Sequence, residues 1–265
     1  MIFGSLGLAE DILSWCDKLA SMPAVGFRLD PHFLSGADFL NAFAPILDKL
    51  VDGETVKFTL DRIEPFSATF TTEDGFQYGA EPQKVFVSFQ HRLRPRAVSG
   101  GLPVLQLLSQ PAPFTQLLTQ VCERLSEAIL LVPGVKSRKV VRVGVVASTK
   151  VADEDLPPGI VRFIKYVGRP WKGVAPHFAF QITADVGASS GSVDRCVHSL
   201  SRLEEDRDKL VAIQLDWQRI FSSSRAITPD SIEEILLDAR KASAAYFEDL
   251  AEGNRFDEDV LSKTT

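Results

Sequence analysis

Alternation of apolar and polar residues marks several strands. Val56, Phe58 and Leu60 alternate with Lys57, Thr59 and Asp61, the period of a strand buried on one face. Phe66, Ala68 and Phe70 repeat the pattern after Pro65, and Asp74–Gly75 offers the positive φ that a tight hairpin turn needs. Over KVFVSFQHRLR, Val85, Val87, Phe89, His91 and Leu93 share one face, which completes a meander of about three strands. AVGFRLDP, residues 24–31, is a short strand stopped by Pro31. Helical spacing governs other stretches. Leu8, Ile12, Trp15, Cys16 and Leu19 predict a helix over 8–21, ended by Pro23. Ser35 and Asp38 begin a second, with a stripe from Phe39 to Leu50 that Pro45 kinks or starts anew. Leu117, Leu118, Val121, Leu125, Ala128 and Ile129 predict a third, terminated by Pro133–Gly134.

The same order then recurs. RKVVRVGVVAS (138–148) is a strand, and DEDLPPGIVRFIKYV opens on acids and prolines suited to a first helical turn. Phe178, Phe180, Ile182, Ala184 and Val186 alternate with His177, Gln181, Thr183 and Asp185. GASSGS is a turn, SVDRCVHSLSRL a strand, EEDRDK another turn, and Val211, Ile213, Leu215 and Trp217 share a strand face. Thr228 caps a last helix with Pro229 at its first position, lined by Ile232, Ile235, Leu236, Ala239, Tyr246 and Phe247.

The expectation is an α+β fold of two similar halves, each strand, helix, antiparallel meander and helix. Only the order of elements repeats, not the residues, and we read this as an ancient duplication. Joining the halves edge to edge into one continuous sheet, with helices on one face, would protect edge strands. The expected boundaries are an N-terminal helix over 1–22, halves over 23–134 and 135–251, and a fraying acidic tail over 252–265.

Composition adds little until charge is mapped. The 265 residues are 45% hydrophobic with net charge −6, ordinary for a globular chain that needs no metal or disulfide staple. Residues 84–172 carry a balance of +9, set between −8 over 1–83 and −7 over 173–265. This either draws the thirds together or presents a basic surface to an anionic partner. Cys16, Cys122 and Cys196 are widely spaced, which fits a reducing compartment. The N-terminus lacks the basic start of a signal peptide and no window reaches membrane-helix length, so the expected location is cytoplasmic, with no membrane partner.

Four stretches resemble a sporadically distributed bacterial protein family of unknown function whose members have about this length: AVGFRLDPHF, TTEDGFQYGAEPQKVFVSF, RVGVVASTKV and IFSSSRAITPDSIEEIL. The chain departs from it after the strand at 84–93, where Gln90-His91-Arg92 replaces a Trp–Arg end. The resemblance implies a bacterial source and a duplicated α+β fold, and no catalytic residues or cofactor.

Candidate chemistry is sparse. If their strands are neighbours, His177, Cys196 and His198 share a face and form a Cys/His dyad or part of a metal site. The alternative is a buried cysteine beside structural histidines. Acids at 153–155 and 204–206 are explained by a helix start and a turn. No phosphate loop or metal-protease motif is present, and no cofactor is expected. Arg92, Arg94 and Arg96 alternate and, with Lys136, Arg138 and Arg142, suggest a basic ridge for an acidic protein segment or for nucleic acid. The expected function is therefore a non-enzymatic interaction or scaffold protein, accessory to a bacterial multi-gene system of defence or toxin-neutralisation type. It would dock a protein partner through sheet face, edge or basic ridge. The alternatives are an enzyme or small-ligand binder using His177, Cys196 and His198, and a nucleic-acid-binding accessory. The sequence leaves the oligomeric state open.

Overall fold

The computed structural model describes residues 14–31, 58–64, 67–96, 104–107, 111–132, 134–168, 177–202 and 210–256. The expected helix over 35–50, the turn at 204–209 and most of the acidic tail lie outside them, as does the start of the helix at 8–21. Its described part is α1, Trp15–Lys18.

The described fold is α+β. Nine strands form one sheet in the order β2-β3-β4-β5-β1-β8-β11-β10-β9, with every neighbouring pair antiparallel. The first half supplies β1 (Met22–Leu29), β2 (Phe58–Glu64), β3 (Ser67–Thr72), β4 (Phe76–Glu81) and β5 (Lys84–Phe89). The second supplies β8 (Lys139–Val151), β9 (Phe178–Ser189), β10 (Ser192–Arg202) and β11 (Val211–Ala226). The seam is β1 against β8, where Val25 faces Val145 and Gly26 faces Gly144.

Among the described residues three long helices accompany the sheet: α2 (Phe114–Leu131), α3 (Pro158–Gly168) and α4 (Pro229–Glu252). Helix α2 lies on β1 and β5, α4 lies on β8 and β11, and α1 and α3 pack against α4. All therefore cover the same face. The strands turn alternate residues toward it: Val25 and Phe27, Val85 and Val87, Val143 and Val145, Leu215 and Trp217. These meet Leu118, Leu125, Ile232 and Phe247 of the helices in one core. Removing this surface from water, at roughly 25 cal/mol per Å², is the main force that holds the layers together.

Local signals act where they were expected. Thr228 accepts the Ser231 N–H at 3.2 Å and Pro229 starts α4. The hairpin between β3 and β4 has a three-residue loop in which Gly75 alone takes positive φ, 97°. Two expectations need correction. The first meander has four strands, β2 to β5, rather than three. KVFVSFQHRLR is not one strand: β5 stops at Phe89, and β6 (Leu93–Arg96) pairs with β7 (Val104–Leu107) in a separate two-stranded sheet. The reason is a lack of partners. Phe89 already faces Phe76, the first residue of β4, and the Gln90 N–H is drawn to the Gly75 carbonyl of the loop at 2.9 Å.

Candidate functional site

The face of the sheet opposite the helices carries the polar side of each strand, in transverse rows set by the register. In one row Glu81, Lys84, Arg28 and Arg142 stand side by side across β4, β5, β1 and β8. In the next, Phe86, Gly26, Gly144 and Gln218 follow across to β11. Ser88, Ala24, Val146 and Asp216 form the third. A fourth row of Met22, Ser148, Gln214, Ser199 and Gln181 is uncharged. A trough of about 750 Å³ lies over the first rows. It shares Met22, Ser148 and Gln214 with a second hollow of about 560 Å³ that continues toward β9.

Glycines keep the floor low. A Cβ on Gly26 would sit 3.0 Å from the Phe86 Cβ. A Cβ on Gly79 would fall 2.1 Å from the Phe86 ring, so this ring lies flat over β4 in the space a side chain would take. The Lys84 ammonium sits 4.6 Å above the same ring, a cation–π contact.

A hydrogen-bonded chain crosses the floor. Arg142 donates to Gln218 Oε1 at 2.7 Å, and Gln218 Nε2 donates to Asp216 Oδ2 at 2.8 Å. Burial pushes the Asp216 carboxyl up from its ordinary value, against the pull of Gln218, Arg142 and Lys84. Burial lowers the Arg142 guanidinium, and its neighbour Arg28 lowers it further. Arg28 and Lys84 are exposed, Arg142 is half-buried, and among the described residues no carboxylate lies within ion-pair distance of any of the three. Like charges directly opposed across strands are unfavourable. Glu81 faces Lys84 from β4, so the feature that folding alone does not explain is Arg28, set between Lys84 and Arg142.

The sequence-selected cations are dispersed. Arg142 belongs to the trough. Arg138 is 4% exposed, donates to the Asp30 carbonyl at 2.7 Å and pairs with the Asp30 carboxylate. Lys136 is exposed in a short 3₁₀ turn, Val135–Ser137. Arg92 donates to the Thr72 carbonyl at 3.4 Å, at the end of β5 away from Lys84 and Arg142. Arg94 and Arg96 are on β6, and their side chains lie outside the described residues. Sequence reasoning missed Arg28, Lys84, Asp216 and Gln218. Each alternates with the helix-facing residues of its own strand, but the pairings of β1 with β5 and β8, and of β8 with β11, are what align them.

Cys196 and His198 do share a face, and it is the helix-covered one. Cys196 is fully buried opposite Trp217 and Ala184, and burial pushes its thiol up to about 12. His198, 4% exposed, bonds Tyr246 Oη at 2.8 Å through Nε2 and the Ile182 carbonyl at 3.3 Å through Nδ1. His177 is exposed, before the start of β9, whereas His198 lies opposite Ile182 further along that strand. The strands therefore do not bring His177 to the other two. Among the described residues, no group of three or more His, Cys, Asp or Glu is placed to hold a metal, and no helix is long and apolar enough to cross a membrane.

The His198 pair has a pH consequence. Burial holds its imidazole below the usual value of 6.5, with the Ile182 carbonyl opposing. The unfolded chain binds the proton more readily, so the contribution is fully present above about pH 6.5 and is lost as pH falls below it. Denaturant titrations at pH 7.5 and pH 5.5 are expected to show a smaller loss of stability on acidification in His198→Gln than in the natural protein.

Compared with protein-family models, curated proteins and solved structures, the chain matches none.

Proposed function

We propose that the protein is a binding module whose open sheet face docks an extended, acidic segment of a protein partner. The observation that carries this is the row Lys84–Arg28–Arg142, three cations abreast beside a glycine floor. Such an arrangement costs stability in the free protein and is relieved by an anionic ligand. A polypeptide suits the remaining chemistry better than nucleic acid does. Asp216 in the floor would repel a phosphate backbone, yet it can accept a peptide N–H, as can Gln214 and the serines of the uncharged row. The hollow continues across the sheet, as an extended segment requires.

The two halves of the strand order mirror one another about the β1–β8 seam, with β3-β4-β5-β1 answering β9-β10-β11-β8. This supports the duplication, and with it a docking face built at the junction of two old domains. The likeness to a sporadically distributed bacterial family supports an accessory role in a multi-gene system of defence or toxin-neutralisation type, in the cytoplasm. A buried, protonated Cys196 does not favour the enzymatic alternative.

The test is an amide NMR titration of isotope-labelled protein with a glutamate-rich decapeptide and, separately, a single-stranded oligonucleotide of the same length. The Gly26 and Gly144 resonances are expected to shift with the peptide and to return toward their free positions as salt is raised. Shifts with the oligonucleotide alone would replace the protein partner with a nucleic acid. Silence with both would end the docking proposal for this face.

A further inference from the structure

The two edges of the nine-stranded sheet differ in kind. β2 has seven residues, FTLDRIE, of which Asp61, Arg62 and Glu64 are charged. Charges of this sort guard an edge against pairing with other chains. β9 has twelve residues, FAFQITADVGAS, with no proline or lysine and one charge, Asp185. That charge is already engaged by Arg195 on β10 at 2.7 Å. β9 is long and nearly uncharged, and among the described residues it is bonded to one neighbour, β10. It is also where large apolar side chains reach the surface. Ile182 is 36% exposed and, on α3, Tyr166 is 49% exposed. They are two of three such residues among those described, and they are linked locally: Phe163, one turn before Tyr166, packs edge-on against Phe180 of β9 at 5.5 Å.

We infer that β9 pairs antiparallel with β9 of a second copy of this chain, so that the sheet runs continuously through a two-fold dimer. A two-fold axis at Ile182 gives a self-complementary seam. Ile182 meets the partner subunit's Ile182, and Phe180 meets the partner subunit's Ala184, large against small. On the open face, Thr183 meets the partner subunit's Gln181. Asp185 falls opposite the partner subunit's Ala179, so the two copies of Asp185 are six residues apart along the seam, about 20 Å at ~3.4 Å per residue. No like charges are opposed. The bulge at Asp194/Arg195 bends β9 beyond Asp185 and confines the pairing to Ala179–Asp185. The exposed Tyr166 of α3 adds apolar area on the helix side.

Sedimentation velocity on the full chain tests this. The natural protein is expected to sediment as a dimer, and Ile182→Lys as a monomer with an unchanged circular dichroism spectrum. Ile182→Val should remain dimeric. Ala179→Asp, at an exposed position opposite the partner subunit's Asp185, should also give monomers, so that misfolding of one variant does not decide the matter. A natural protein that is monomeric up to its solubility limit would overturn the inference. So would a dimer that survives both variants. Peptide binding in the trough does not depend on this seam, so the decapeptide titration distinguishes failure here from failure of the docking proposal.

Discussion

Exchanging Arg28 and Lys84 for glutamate is expected to remove acidic-peptide binding while leaving the fold intact, and Arg28→Glu alone to make it slightly more stable. Both side chains are exposed, so the exchange empties no core space. Arg28 faces Arg142 and Lys84 across its two neighbouring strands. A glutamate at 28 would turn an opposed pair of like charges into an opposed pair of unlike charges. Cross-strand pairs of this kind are worth roughly 0.2–1 kcal/mol, so Arg28→Glu alone is expected to gain stability within that range in denaturant titrations, whereas a second glutamate at 84 faces Glu81 and the new glutamate at 28 and gives the gain back. Binding should move the other way. Each reversal turns an attraction for the ligand's carboxylates into a repulsion, at about 1.5 kcal/mol or more per position, so the double variant should bind at least about a hundredfold more weakly. Opposite signs for stability and affinity are what a residue kept for binding produces. If both fall together in Arg28→Glu, Arg28 serves the fold, and the trough loses its assignment. Arg142 is left unchanged because its bond to Gln218 orders the floor.

The residues behind this expectation show what the sequence could and could not disclose. Alternation along β5, β9 and β11 sorts helix-facing from open-facing side chains, because the period of two is a property of a single strand. The cap at Thr228 and the turn at Gly75 are local for the same reason. Arg28, Arg142, Lys84 and Asp216 form a site only through the β1–β5, β1–β8 and β8–β11 registers, which join distant stretches and leave no local trace. The reverse error arises at Arg92, Arg94 and Arg96. Periodicity runs on through them, but among the described residues the sheet offers no partner beyond Phe89, and the chain leaves it. Cys196 and His198 are legible as same-face neighbours. That this face is buried follows only from α4, whose Tyr246 takes the imidazole.

Gly159→Ala is expected to be the most damaging single-methyl change in the helical layer. Gly159 lies in the first turn of α3, where α3 meets the C-terminal end of α4. A Cβ there would sit 1.8 Å from the Leu250 carbonyl oxygen and 2.8 Å from the Gly253 nitrogen. These atoms are backbone, and they form the α4 cap: the Gly253 N–H bonds the Asp249 and Leu250 carbonyls, and Gly253 itself takes φ 96°. No side-chain rotation relieves the clash, so the helices must part by more than 1 Å at ordinary contact distances of roughly 3 Å. Alanine's better helix propensity returns at most about 1 kcal/mol. Overpacking against fixed backbone costs about 3 kcal/mol, so the net loss should be about 2 kcal/mol, or roughly 4–8 °C in melting temperature. Gly144→Ala supplies the matched control. Its Cβ would meet nothing nearer than Asp216 Oδ1 at 3.6 Å, so stability should hold or rise slightly. The same methyl stands on the trough floor, where it should weaken the decapeptide. One glycine is thus required by packing and the other is open to a larger residue except at the surface that meets the ligand. Calorimetry and the peptide titration on the two variants separate these roles, and equal melting losses in both would show that the seam between β1 and β8 is as tightly packed as the contact between α3 and α4.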